Sequence, residues 1–118
     1  MRPTCVPDTL ACAVAASAAI AMGGCGGNVG PSWDDPTPEA RIAAIERSTR
    51  AGDARRDMPR LVENLASDDA AVRMAAIVAL ERATGSTLGY RFDDSPQDRA
   101  SSVARWRAWL AAYAGPGR

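Results

Sequence analysis

Residues 58–80 read MPRLVENLASDDAAVRMAAIVAL, and the spacing of their apolar side chains decides the fold. Met58, Leu61, Val62 and Leu65 fall at i, i+3, i+4 and i+7, the period of one helical face. Asp57 stands before them as a cap, and Pro59 sits in the first turn, where a missing N–H costs little. Ser67, Asp68 and Asp69 make a turn, with Asp69 capping a following helix that runs to about Ala83 and stops at Gly85. In that helix Val72, Ala75, Ala76, Ala79, Leu80 and Ala83 line one broad face, which Ile77 and Val78 widen. A helix apolar over most of its girth is covered on more than one side, and its alanines let neighbouring backbones come close. This helix is expected at the centre of the domain.

The same signals extend outward. Thr37 and Pro38 open an earlier helix with Glu39 at its positive end. Ile42 and Ile45 share its apolar face, Glu46 and Arg50 form an i,i+4 pair, and Gly52 ends it. Downstream, a connection over 85–94 carries Leu88, Tyr90 and Phe92, and Ser95-Pro96-Gln97-Asp98 starts a last helix. Val103, Trp106, Leu110 and Tyr113 recur there at helical spacing; Trp106 is read as core and Trp109 as a half-exposed contact. The expected fold is all-α, a short antiparallel helix-pair array of about four helices over residues 37–115. Fewer than about 80 residues then build the core, near the lower limit for a single unaided one.

Within 58–80, Pro59, Asp69, Val72, Arg73, Ala76, Ala79 and Leu80 resemble the pattern of a HEAT repeat. In that family a helix with an early proline leads through an acidic turn into a helix that begins Val-Arg and continues as an alanine ladder. Ser67 stands where the family often has Asp. The stretch from Thr84-Gly85 through Gly89-Tyr90 to Arg105-Trp106-Arg107-Ala108-Trp109-Leu110 resembles the closing segment of short bacterial HEAT-like proteins. The resemblance implies an α-solenoid fragment that binds proteins through helix faces, with the last helix as its terminal cap. Solenoids ordinarily need three or more repeats, and one is well formed here. The first and fourth helices then act as partial flanks, or the domain leans on a partner.

Ahead of this body, residues 9–22 are an uncharged, alanine-rich run too short to cross a bilayer comfortably, preceded by Arg2. Residues 1–24 therefore read as a signal peptide, with a buried N-terminal helix as the competing reading. Gly23-Gly24-Cys25 after the apolar run resembles the bacterial lipoprotein signal, which implies cleavage before Cys25 and acylation of its sulfur. Two or more acyl chains hold a protein stably on a membrane, which one does not. Residues 25–36 would be a flexible tether. A cut after Ala21 would instead release a soluble secreted protein with Cys25 as a free thiol. Either route places the protein outside the cytoplasm, in the cell envelope and facing the periplasm or exterior when anchored.

Composition excludes several classes of function. The chain of 118 residues carries 14 acidic and 14 basic groups, every base being Arg. Nucleic-acid binding is not expected, because phosphate neutralisation needs a basic excess. With no His and only Cys25 left after processing, neither the usual zinc sites nor an internal disulfide can form. The serines have no His or Lys to serve as a base, so no catalytic triad or Ser/Lys pair is available. The adjacent carboxylates Asp34-Asp35, Asp68-Asp69 and Asp93-Asp94 read as turn and cap residues. Residues 93–98 lack the glycine and closing Glu of a calcium loop. No catalytic residue, cofactor or metal is expected.

What remains is an exported, lipid-anchored, non-catalytic module for protein–protein interaction with an unidentified protein partner. Trp109, Arg55, Arg56 and Arg60 are the candidate contact residues, since Trp and Arg dominate binding energy at interfaces. Cys25 is the candidate lipid attachment site. The rival readings are a structural envelope component without a defined partner and an enzyme-accessory protein.

Overall fold

A computed structural model describes residues 30–114. It contains four helices, α1 (Pro38–Ala51), α2 (Met58–Asn64), α3 (Ala70–Thr84) and α4 (Pro96–Tyr113), and no strand among the described residues. Residues 1–24, read above as a signal peptide, Cys25 and the first part of the segment read as a tether lie outside the described residues, as does Gly115. From Ser32 on, the segment read as a tether is held against α1. The Ser32 amide donates to the Ala40 carbonyl at 3.1 Å, and Trp33 packs on the core.

α3 is the hub: it packs on α1 and on α2, and α2 in turn packs on α4. The α2 stripe is buried in full, Met58, Leu61, Val62 and Leu65 all lying at 2% exposure or less. They meet Val72, Ala76, Ala79 and Leu80 of α3 and Trp106 of α4 in one continuous core. Asp69 caps α3 as expected, its carboxylate accepting from the Val72 amide at 3.0 Å. Gly52 and Gly85 close α1 and α3 in the left-handed conformation that a residue without Cβ adopts freely.

Three local expectations are corrected. Asp57 precedes α2 but its side chain does not cap it; the carboxylate accepts from the buried Ser48 hydroxyl at 2.7 Å and so ties α1 to the start of α2. Thr37 likewise makes no cap bond, its hydroxyl donating to Asp35 instead. The buried face of α1 is Ala40, Ala44, Ile45 and Ser48, with Ile42 turned to its edge. Ile45 is the buried residue by which α1 joins the core shared with α3, and Ala44 and Ser48 lie beside Trp33 instead.

Arg73 fixes the turn between α2 and α3. Its guanidinium is buried and donates to the Ser67 and Asp68 carbonyls at 2.9 and 2.7 Å and to the Phe92 carbonyl at 3.1 Å. One side chain thereby fastens the hairpin turn to the connection ahead of α4. No carboxylate takes part, consistent with Ser at position 67. The Tyr90 hydroxyl adds a second fastening, donating to the Leu65 carbonyl at 2.7 Å.

Candidate functional site

α4 starts where Ser95 both accepts from the Asp98 amide and donates to the Asp98 carboxylate, closing its first turn. It has 18 residues against seven in α2, on which it packs. At 1.5 Å per residue α4 outruns α2 by more than two turns. Trp109 and Leu110 still pack on the core, while Tyr113, one turn further on, is exposed. Trp106 is fully buried, with Nε1 donating to the Thr87 carbonyl at 2.9 Å. Trp109 is half-buried, meeting Trp106 edge-on at 5.6 Å and stacking on Tyr113 at 4.9 Å and 14°. Tyr113, expected to continue the core stripe, is 36% exposed.

The Tyr113 ring and Leu110 form one wall of a cleft of about 350 Å³ whose other wall is Arg55, Arg56, Met58 and Pro59 at the entry to α2. Two of the three predicted Arg contacts thus share a cleft with the aromatic end of α4, and Trp109 reaches it through its stack with Tyr113. Arg56 is bound to Asp53 at 3.0 Å and Asp57 at 3.5 Å. Arg55 is exposed and makes no ion pair among the described residues. Arg60 lies elsewhere, engaged with Asp34 at 3.2 Å and Glu63 at 3.8 Å. Exposed pairs of this kind contribute at most about 1 kcal/mol, so their geometry positions the side chains more than it stabilises the fold.

A larger groove was not anticipated. Between α1 and α3, Ile42, Ala71, Met74, Ala75 and Val78 line about 430 Å³, with Glu46, Arg50 and Arg82 also lining it. Met74 is 48% and Val78 38% exposed, so among the described residues α3, apolar over most of its girth, is uncovered along one strip. Periodicity had marked Val78 as apolar; nothing in sequence told which side of the helix lacks a neighbour.

The acidic pairs occupy structural positions. Hydrogen bonds from Thr37 hold the Asp35 carboxyl below the usual range, and Arg91 does the same for Asp93. No group of three or more metal-ligating side chains occurs among the described residues, and no helix there is long and apolar enough to cross a membrane. Compared with protein-family models, curated proteins and solved structures, the chain matches none of them.

Proposed function

We propose that the chain is an exported, non-catalytic helical module of HEAT-like character, anchored by lipid at Cys25, that works by binding another protein at the aromatic end of α4. The observation that carries the binding role is the half-buried Trp109–Tyr113 stack beside the cleft that holds Arg55 and Arg56. Rigid aromatic rings with few rotatable bonds, next to Arg side chains at a cleft, are the composition of interface hot spots. The hairpin of α2 and α3, with Pro59, Asp69 and Arg73 in structural positions, supports the HEAT-like part of the reading. The anchor rests on Gly23-Gly24-Cys25 following an apolar run.

Affinity capture with the intact protein tests the binding role. Trp109→Ala is expected to lower recovery of the partner at least about tenfold, a hot-spot loss of roughly 1.4 kcal/mol or more, with the far-UV circular dichroism unchanged. Collapse of the helical signal would instead place Trp109 among the residues that hold the fold. For the anchor, metabolic labelling with a palmitate analogue is expected to mark the protein and to miss Cys25→Ala; label retained in that variant removes the lipoprotein reading.

A further inference from the structure

The cleft beside Tyr113 does not end at Leu110. Along α4, Val103, Arg107, Leu110 and Ala114 recur every three or four residues and form one stripe of the helix. On α2, Pro59 and Ala66 stand seven residues apart on a common side. Pro59, Leu110 and Ala114 line the cleft described above, while Ala66, Val103 and Arg107 line a second one of about 270 Å³. The two clefts are halves of a single groove between α2 and α4, which run antiparallel. Resting on the reading that a protein binds at the aromatic end of α4, we infer that its docking segment is an acidic peptide lying along this groove. An apolar side chain of the peptide sits in the cleft beside Tyr113, and its carboxylates meet Arg55 and Arg107.

Charge in the lining selects this occupant. Among the residues that line the two clefts, four are Arg and one, Asp68, is acidic. Arg56 is already paired with Asp53 and Asp57. Arg99 donates to a neutral acceptor, the Asp94 carbonyl. Arg55 and Arg107 are exposed and make no ion pair among the described residues. Glu63 of α2 lines neither cleft and pairs with Arg60 at 3.8 Å. A chain of zero net charge thus concentrates positive charge along this groove, and a partner of opposite sign is favoured there. Depth favours a peptide over an anionic bilayer. Val103 is buried and Leu110 half-buried, so the apolar lining is recessed between two helices. A single chain reaches such a floor, and the broad surface of a bilayer does not. Arg107 precedes Ala114 by seven residues, about 10 Å of helix. An extended peptide covers that distance in about three residues, which sets the spacing between its apolar anchor and the acid that meets Arg107.

Selection of a phage-displayed library of random peptides on the intact protein is expected to return acid-rich sequences that carry a leucine or an aromatic side chain. Fluorescence anisotropy with one such peptide, labelled with fluorescein, then reads the affinity. Arg107→Glu should weaken binding at least about tenfold and Arg55→Gln about threefold. Both side chains are exposed, so the helical circular dichroism should be retained. Arg82→Glu makes the same change of charge on α3, outside this groove, and should stay within about twofold of the parent. Selection of neutral or basic sequences, or of none, overturns the inference. So does binding that Trp109→Ala abolishes and Arg107→Glu leaves unchanged, a result that keeps the aromatic-end reading and removes only the groove. Binding lost in Arg107→Glu but indifferent to Trp109→Ala does the reverse, keeping the acidic peptide in the groove and removing the role of Trp109. Flotation with phosphatidylglycerol vesicles that is lost in Arg107→Glu, with no acidic peptide selected, overturns the inference by giving the groove a bilayer.

Discussion

Replacing Arg73 by Met tests how the hairpin is locked. The side chain is only 8% exposed and its guanidinium donates three hydrogen bonds to carbonyls of Ser67, Asp68 and Phe92. A hydrogen bond made by a charged donor contributes about 1.5–3 kcal/mol, and a buried carbonyl left without its donor costs about 1–3 kcal/mol. The three bonds share one side chain and two of the carbonyls lie in a turn that water can reach, so the losses do not add. Met also keeps the length of the stem and its packing. The expected destabilisation is about 3–4 kcal/mol, which for a domain of this size lowers Tm by on the order of 12–25 °C. Arg73→Lys should recover less than half of that, because a single ammonium cannot span carbonyls on both sides of the turn. Thermal and urea unfolding followed by circular dichroism measure both variants, with the exposed Arg82→Met as control, expected within about 0.5 kcal/mol of the parent. Hydrogen exchange should show the 85–94 connection losing protection first. If Arg73→Met unfolds within about 0.5 kcal/mol of the parent, the guanidinium does not hold the turn and the account of the hairpin is wrong.

Trp106→Ala should cost about 3–5 kcal/mol, because a fully buried ring and its bond to the Thr87 carbonyl are both removed; Trp109→Ala, measured by the same urea titration, should cost clearly less. Tyr90→Phe should cost about 1 kcal/mol by deleting the bond to the Leu65 carbonyl. Burial raises the Tyr90 hydroxyl above its ordinary value of 10.0. The folded state thus holds this proton more tightly than the unfolded chain. The stability it lends is complete below pH 10 and is lost as pH climbs through the raised value, so unfolding by alkali, scanned upward from pH 9, should be steeper in the parent than in Tyr90→Phe.

Much of this architecture is dictated locally. The i, i+3, i+4, i+7 pattern from Met58 to Leu65, the Asp69 cap, the glycine stops at Gly52 and Gly85, and the Ser95-Pro96-Gln97-Asp98 start are all short-range signals, and all hold in the structure. A helix's period and ends depend on residues within a turn or two of one another, so a linear reading reaches them. Asp57 shows the limit: it stands where a cap belongs, yet Ser48, nine residues back and on another helix, takes its carboxylate. The candidate contacts divide the same way. Residue type singled out Trp109, Arg55, Arg56 and Arg60, but only packing brings Arg55 and Arg56 to one cleft, stacks Trp109 on the Tyr113 that lines it, and draws Arg60 to Asp34, 26 positions away.

Helix existence, helix ends and the apolar character of each side were thus settled by the chain itself. Which apolar side goes uncovered was settled only on folding. The exposure of Met74, Val78 and Tyr113 depends on how the described helices, of unequal length, meet. Burial depends on which neighbour arrives in space, and no local pattern along the chain encodes a neighbour that is missing.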